Sequence, residues 1–463
     1  MKWTVKLVSE NTPGQRQEYD LVELERTSPM TPATLGLAIA EGKAILAAVQ
    51  KQMVADQVQQ HCEITRNCKQ CGAELPTKGH YTSTFKSVYG KISISVRRVR
   101  GCRCHGQRTQ SFSTMFARRN PTSPELSFIS AKLAALLPFR QAASILQELF
   151  PIADTVNAGT VRNRTIRVGK RLEKHREEVV ASAADTTPAV KEVVIGLDGG
   201  YVKSRHRRPE RSFEVIVGKV IGPHDASTRF AFVRGTGKKD EGRRCVSEAL
   251  RARGAGATTA VTVLTDGDAG LREVQRAVVP GATHLLDWFH LSMRFQNLSQ
   301  MAKGPLEPGG NVVAQQHALD ELKRAKWALW NGKTIRGLIR LVHLSQWAQA
   351  PFLKGTKPIA KLASALPDLV RYVELNRDSM PNYGRRYRSG QRISTSFAES
   401  SVNEIISHRM SKRQQMRWNR HTAPEFLRVR VHVLNDTIEN AFRRMHTGFR
   451  PERNLQPAAI LND

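Results

Sequence analysis

The chain has 463 residues, enough for roughly two to four domains with at least one sizeable core. It carries 72 Lys and Arg against 41 Asp and Glu, a formal net charge of +31. This excess is larger than an enzyme with a neutral substrate requires, and it indicates a polyanionic partner such as DNA. No apolar run approaches the roughly 18 residues of a membrane-spanning helix, and the first residues do not resemble a signal peptide. We therefore expect a soluble cytoplasmic, nucleoid-associated protein with no membrane partner.

The N-terminal module, residues 1–115, is predicted to open with a hairpin and a helix. Apolar residues alternate on both sides of a Pro-Gly turn, which predicts a hairpin over about residues 1–26. Apolar residues then recur at helical spacing, which predicts a helix from Thr31 to about His61. Nothing in these two elements points to chemistry.

The six cysteines indicate a metal site rather than a disulfide framework. A Cys-x-x-Cys and a Cys-x-Cys pair flank two strands of alternating polarity, at about residues 81–88 and 91–99, and a hairpin would bring the pairs together. Four thiolates form the tetrahedral site that zinc prefers, with no open position for catalysis. The expected ligands of this zinc-ribbon-like, structural Zn²⁺ site are Cys68, Cys71, Cys102 and Cys104, with His105, His61 or Cys62 as alternatives for one of them.

Residues 120–185 are predicted to be helical. Two helices, at about residues 140–150 and 158–175, are joined by a short turn that contains Pro151. The second helix begins with polar and basic residues, including Arg162 and Arg164, that could reach bases and phosphates. This pattern fits a helix-turn-helix that binds DNA, and it fits equally well a plain helical hairpin between two domains.

Residues 190–295 follow the order β-β-β-α-β-α-β, which is that of an RNase H-like fold. The first strand is predicted to end on Asp198 and to break at Gly199 and Gly200. Asp266 and Asp287 follow the fourth and fifth strands, although Asp268 competes with Asp266. Acids at neighbouring strand ends lie where such sheets bind ligands, so they predict one carboxylate cluster. A basic loop after the first strand is expected to contact DNA through Arg205, Arg207 and Arg208.

The chain is then helical over residues 296–390, which we interpret as an all-α insertion in the core, with its tryptophans buried. Residues 391–445 are expected to return to the core as helices, and residues 446–463 form a tail. Glu399 could complete the carboxylate cluster, with Asn403 one turn later on the same face. The same residues also fit a helix capping box that begins at Ser396, and Glu404 is a rival acid.

A dense basic segment at residues 409–420 carries one aromatic residue that we expect to be exposed. Charge combined with an exposed ring is typical of an element that binds a DNA strand. The residues expected to do so are Lys412, Arg413, Arg417 and Trp418.

Taken together, these motifs resemble those of bacterial insertion-sequence transposases of the Kra type. The motifs are the cysteine-rich hairpin, Gly-Leu-Asp-Gly-Gly around Asp198, Asp266-Gly, Asp287-Trp-Phe-His290, Glu399, and Lys-Arg-Gln-Gln-Met-Arg-Trp ending at Trp418. The resemblance runs from about residue 60 to 435. It implies a DDE enzyme with an RNase H-like core and a helical insertion. By the same resemblance Asp198, Asp266 and Glu399 are the catalytic triad, with Asp287 and His290 as accessory residues.

Three hard carboxylates suit two Mg²⁺ ions, or Mn²⁺, whereas the thiolates favour zinc. The expected function is metal-dependent DNA cleavage at the ends of an insertion sequence, followed by strand transfer into target DNA. The expected partners are the terminal inverted repeats, the target DNA and at least one further copy of the chain in a synaptic complex. Two alternatives stay open: an RNase H-like nuclease or resolvase without strand transfer, and a zinc-dependent DNA-binding regulator whose acids are structural.

Overall fold

The computed structural model describes residues 1–12, 15–27, 29–64, 67–68, 71–100, 102, 109–111, 121–152, 156–180, 189–205, 211–235, 240–306, 311–353, 356–414 and 416–451. The protein is a mixed α+β protein that divides into two compact units. One unit comprises Met1–Glu178 and the chain from Asp436 onward, and the other comprises Val179–Asn435.

Among the described residues, the first unit contains two small antiparallel sheets and five helices. Its elements are β1 (Lys2–Thr12), β2 (Gln15–Glu25), α1 (Ile39–Ile64), β3 (Thr77–Ser87), β4 (Gly90–Arg100), β5 (Thr109–Ser111), α2 (Pro124–Leu136), α3 (Phe139–Leu149) and α4 (Ala158–Val180). A later helix, α14 (Ile438–Met445), packs on α2 through Phe128 and Phe442, whose ring centroids are 5.3 Å apart. The predicted hairpins and the two helices after residue 139 are confirmed.

The first helix begins later than the sequence predicts. It begins at Ile39 rather than near Thr31. The Glu41 carboxylate accepts a hydrogen bond from the Ala38 amide at 2.9 Å and pairs with Arg26 at 2.6 Å. This local capping arrangement fixes the start of the helix at a position that apolar spacing alone does not reveal.

The second unit is built on a five-stranded mixed sheet. Its first part contains β6 (Glu192–Lys203), β7 (Ser212–Ile221), β8 (Ser227–Val233), α5 (Glu241–Arg251), β9 (Ala260–Thr265), α6 (Ala269–Val278) and β10 (Thr283–Leu286). The strand order is β10-β9-β6-β7-β8. β7 pairs antiparallel with β6 and β8, whereas β9 pairs parallel with β6 and β10. This order and these directions are those of the RNase H-like arrangement expected from the sequence.

The two faces of β6 are covered by different helices. Val193, Ile195 and Leu197 point into a core that also contains residues of α5 and α6. The alternate residues face a helix from the end of the unit, because successive side chains in a strand point to opposite faces. That helix is α12 (Ser396–Val402), and a Cβ at Gly196 would lie 2.6 Å from the Phe397 ring.

The prediction that β6 breaks after Asp198 is therefore wrong. The strand continues to Lys203 in antiparallel pairing with β7. Gly200 lies where an added Cβ would be 2.7 Å from the Ile406 Cδ1 atom. The glycines of this strand allow another element to pack closely. A glycine within a strand can mark such a close approach as well as a break in the strand.

The chain between β10 and α12 is helical, as predicted. Its helices are α7 (Trp288–Ala302), α8 (Val312–Trp330), α9 (Thr334–Ala348), α10 (Lys357–Leu375) and α11 (Tyr383–Arg388), and we call this segment the helical insertion. It has a core of its own, which Leu286 of β10 joins. Trp330 and Trp347 pack against this core, as expected, but Trp327 is 53% exposed. The expectation that all three rings are core is wrong for Trp327.

After α12 the chain forms a π-helical turn, Asn403–Ser407, and later α13 (Ala423–Leu434). Arg430 of α13 is buried and donates to the carbonyls of Glu404 and Ile405 in this turn. π-turns inside helices occur frequently at functional sites. Within the part of the chain that the structure describes, no helix is both long and apolar enough to cross a membrane.

Candidate functional site

Three aspartates lie at one edge of the sheet, directly after or within neighbouring parallel strands. Gly196 of β6 pairs with Leu264 of β9. Asp198 and Asp266 each lie two residues after this pair, so they are level with each other. Leu286 of β10 pairs with Thr265 of β9. Asp287 and Asp266 each come one residue after this pair, so they are level with each other too. The parallel register therefore brings all three acids to the same level at the carboxyl end of β9 and β10.

A fourth acid, Glu399, comes from α12 on the face of β6 that carries Asp198. Residues 196, 198 and 200 share that face, and the missing Cβ at Gly196 lets α12 approach. The segment before α12 is hydrogen-bonded to the start of α7, just after β10, because the Trp288 amide donates to the Ile393 carbonyl at 2.9 Å. The chain thus re-enters the sheet beside the three aspartates after the helical insertion.

Asp287, His290 and Glu399 form a chain of contacts. Asp287 is fully buried and caps α7 by accepting from the Phe289 amide at 2.7 Å. Its other oxygen accepts from His290 Nδ1 at 2.8 Å and from the Thr395 hydroxyl. His290 Nε2 lies 3.5 Å from a Glu399 oxygen. Since both Asp287 oxygens already accept hydrogen bonds, this residue is placed to orient the histidine.

The electrostatics link the same groups. The pKa of Asp198 is raised to about 6, mainly by burial. The hydrogen bond from the Gly199 amide lowers this pKa, and the nearby Asp266 and Glu399 carboxylates contribute to raising it. The hydrogen bond to Asp287 raises the pKa of His290 above its usual value, an effect that burial opposes. The site therefore concentrates negative charge in a partly buried place.

The ligand atoms of Asp287, His290 and Glu399 lie within 4.8 Å of one another and could hold a cation. Asp198 and Asp266 border this group without belonging to it. His290 and Glu399 both act on the pKa of Asp198, and Asp266 raises the pKa of His290. The predicted triad of Asp198, Asp266 and Glu399 is thus gathered at one place but, among the described residues, does not form a metal-binding group at that distance.

The rival acids have other partners. Asp268 caps α6, accepting from the Gly270 and Leu271 amides at 2.8 and 3.2 Å. Glu404 pairs with Arg229 at 2.6 Å. Asn403 is exposed at the start of the π-helical turn. These positions favour Asp266 and Glu399 over their rivals as the acids that face the cluster.

Two tyrosines of the helical insertion support the strand ends, and sequence reasoning missed both. The Tyr372 hydroxyl donates to the Asp266 carbonyl at 2.5 Å, and the Tyr383 hydroxyl donates to the Leu286 carbonyl at 2.9 Å. Both side chains are buried, and burial raises the pKa of each hydroxyl, which keeps it a donor. We call this pair the tyrosine brace. No local signal marks either residue, because their partners are 106 and 97 residues away in sequence.

Comparison with known proteins gives little. No protein-family model matches the chain, and no curated protein matches it. Among solved structures, the Drosophila P element transposase strand transfer complex is similar with a TM-score of 0.32 and 11% sequence identity, over 70% of this chain and 94% of that chain. A TM-score of 0.32 assigns neither fold nor activity.

The basic segments predicted to contact DNA lie partly near the acids. β6 ends beside the segment around residue 418, because the Arg205 amide donates to the Trp418 carbonyl at 2.7 Å and the Trp418 amide donates to the Lys203 carbonyl at 2.9 Å. Arg205, Lys412, Arg413 and Arg417 are exposed. Arg207 and Arg208 lie outside the described residues. The strand that carries Asp198 therefore leads directly to an exposed basic surface.

Two residues predicted to bind DNA are buried instead. Trp418 is 5% exposed, its indole N–H donates to the Met410 carbonyl at 3.1 Å, and its ring packs 4.4 Å from that of Phe426. The expectation of an exposed ring is wrong, since Trp418 anchors the basic segment to the core. Arg164 is 6% exposed with its guanidinium 3.4 Å from Ser130 Oγ, whereas Arg162 is only partly buried. Burial leaves Arg164 no surface to present to DNA.

The cysteine cluster is present in part. The ligand atoms of Cys68, Cys71 and Cys102 lie within 4.8 Å of one another, with Cys68 and Cys102 sulfurs 3.3 Å apart. Cys104 and His105 lie outside the described residues. Neither His61 nor Cys62 belongs to the group, as far as the described residues show. Three thiols at this spacing could hold a soft cation with a fourth ligand.

Proposed function

We propose that this protein is a DDE transposase, which cleaves DNA at the ends of an insertion sequence and transfers the strands into target DNA. One observation carries the proposal: acids from β6, β9 and α12 converge at one edge of an RNase H-like sheet. The triad is Asp198, Asp266 and Glu399. The motif resemblance to Kra-type transposases supports the same assignment.

The donor set fits Mg²⁺ or Mn²⁺. Asp198, Asp266 and Glu399 offer only oxygen ligands, which these hard cations prefer, and concentrated negative charge attracts a divalent ion. When bound, a pair of such ions activates a water or a 3′-hydroxyl and stabilises the leaving oxygen in phosphodiester displacement.

The residues around the triad have positioning roles in this proposal. Asp287 accepts from His290 Nδ1, so Nε2 is directed toward Glu399 and holds that carboxylate in place. The tyrosine brace fixes the backbone from which Asp266 and Asp287 project. Arg205, Lys412, Arg413 and Arg417 would hold the DNA backbone next to the acids.

The N-terminal cysteine cluster has a structural role in the proposal. Cys68, Cys71, Cys102 and Cys104 would bind Zn²⁺ and stabilise the β3–β4 hairpin between them. Because both ends of the element must be cut and joined together, the active form would be at least a dimer.

The test is an in vitro strand-transfer assay with Mg²⁺, pre-cleaved 3′-hydroxyl ends taken from the DNA that flanks the gene, and a plasmid target. We expect joined product from the wild-type protein and none from Asp198→Asn, with DNA binding retained in both. Cutting without joining would replace the proposal with a nuclease or resolvase. Metal-independent binding with neither reaction would favour a DNA-binding regulator. Joining by the Asp198→Asn protein would remove that residue from the triad.

A further inference from the structure

The outer surface of α8 and α9 carries two adjoining cavities that the proposed chemistry does not use. One has a volume of about 1010 Å³ and the other about 480 Å³. They share three lining residues: Lys333, Arg336 and Arg340. We call the two together the insertion groove. It lies wholly within the helical insertion, so the elements that carry the triad do not line it.

The insertion groove is positively charged. Its lining contains five Lys and Arg residues and two acids: Lys323, Arg324, Lys333, Arg336 and Arg340 against Asp320 and Glu321. Glu321 pairs with Arg324 at 2.8 Å and with Arg340 at 2.7 Å. One carboxylate thus fixes two guanidiniums in place, and the groove keeps a net positive charge.

Large apolar side chains stand exposed among these cations. Trp327 is 53% exposed, Ile335 74% and Ile339 49%. Trp327 is held at one side by an edge-to-face contact with Trp330, with 6.2 Å between centroids, and Trp330 in turn packs against the insertion core. An anchored, exposed indole next to lysines and arginines combines the two contacts that single-stranded nucleic acid requires, stacking and phosphate neutralisation.

The positive charge of the insertion groove and the exposed Trp327 ring together indicate which kind of partner it binds. A second copy of the chain, itself strongly basic, would set cations against cations across a symmetric contact. Duplex DNA would satisfy the lysines and arginines but offers no free base face to Trp327. A single strand satisfies both the cations and the indole.

We propose that the insertion groove binds single-stranded DNA, with phosphates against Lys333 and Arg336 and a base stacked on Trp327. The inference rests on the proposed action on DNA and adds to it a second contact, separate from the acid cluster. Its function would be to hold a strand released when the DNA ends are opened.

The test uses the full-length protein without added Mg²⁺ and a fluorescein-labelled 20-nucleotide thymidine oligomer, with binding followed by anisotropy. Two groove variants, Trp327→Ala and the double variant Lys333→Glu/Arg336→Glu, are compared with wild type. The matched control is Lys361→Glu/Arg371→Glu, which makes the same charge change at exposed positions of α10. Circular dichroism melts check that all variants fold.

Trp327→Ala is expected to weaken binding of the single strand by about 5- to 150-fold, the range for loss of one stacked base. The groove double variant should weaken it more than tenfold and lower the slope of log affinity against log salt by about 1.4, because two phosphate contacts are lost. The α10 control should lose much less. Trp327→Ala should leave the affinity for a duplex of the same length unchanged.

Equal losses in the groove variant and in the α10 control would overturn the inference, because they would show a general charge effect. Unchanged single-strand binding by Trp327→Ala would also overturn it, as would failure of the wild-type protein to bind the oligomer. These outcomes do not depend on catalysis. A wild-type protein that binds the strand through the groove but never joins DNA would defeat the proposed function and leave the groove assignment intact.

Discussion

Changing Tyr372 to Phe would remove a single hydroxyl from the interior of the second unit. That hydroxyl donates to the carbonyl of Asp266 at 2.5 Å, and the side chain is 9% exposed. No volume is added and only one oxygen is lost, so the change removes the polar contacts of that hydroxyl, with the Asp266 carbonyl and with Arg294, and leaves the ring in place. This carbonyl belongs to Asp266, whose carboxylate lies near Asp198.

Loss of a buried hydrogen bond that leaves the acceptor without its donor costs about 1–3 kcal/mol. We therefore expect Tyr372→Phe to lower the free energy of unfolding by that amount. A consequence of similar size is expected at the proposed metal site, since removing groups that orient ligands lowers metal affinity about 10–100-fold. Tyr383→Phe should cost similar stability with less effect on metal, because its partner precedes Asp287, whose oxygens are already occupied.

The assay is a Mn²⁺ titration followed by electron paramagnetic resonance, together with urea unfolding of the same samples. Tyr387→Phe is the control, since that side chain is 66% exposed and lies outside the tyrosine brace. Loss of stability in Tyr372→Phe with unchanged Mn²⁺ affinity would refute a positioning role. Absence of Mn²⁺ binding in the wild-type protein would instead refute the metal site itself.

Three further predictions concern other parts of the chain. Gly196→Ala should lower the free energy of unfolding by about 1–3 kcal/mol, because the added methyl group would lie 2.6 Å from the Phe397 ring of α12. Gly281→Ala is the control, since its added methyl group would have no neighbour within 4 Å. Equal urea midpoints for the two variants would contradict this packing. Burial and neighbouring arginines lower the pKa of His284 to about 4 from 6.5, so stability should rise with pH across that window by up to about 3 kcal/mol. His284→Asn should flatten that rise in the urea midpoint, and an unchanged slope would exclude this histidine as its source. Cys71→Ser should lower bound zinc, measured by atomic absorption, and full retention would remove it from the ligand set.

Much of the central sheet could be predicted from the sequence. Short strands of mostly buried residues, each followed by an acid, mark β6, β9 and β10, and their order along the chain indicates the topology. The meaning of Gly199 and Gly200 could not be read locally, because glycine within a strand marks either a break or a close neighbour. Gly200 faces Val402 of α12 and Ile406 of the π-helical turn, whereas Gly199, on the opposite face, lies against Glu214 of β7. All these neighbours come later in the sequence, so only the folded chain distinguishes a break from a close contact.

Side-chain burial was harder to predict than secondary structure. Trp418 stands among lysines and arginines in sequence, yet its spatial neighbours are Met410 and Phe426. Trp327 has the spacing of a core residue, yet it lies on the outer side of α8. For Trp327, helical periodicity specifies a face and not what covers it. For Trp418, the charge of the neighbouring residues in sequence does not reveal which side chains surround the ring in the fold.

The position of the helical insertion has a consequence for protein synthesis. Asp287 and Thr395 are hydrogen-bonded although 108 residues separate them, and Glu399 follows Thr395. A nascent or prematurely terminated chain that stops within the insertion therefore contains the three aspartates but lacks the glutamate. We expect such fragments to be unable to cut DNA, because the final acid becomes available only after the insertion has been translated. The insertion thus delays assembly of the proposed catalytic site until Glu399 has been translated.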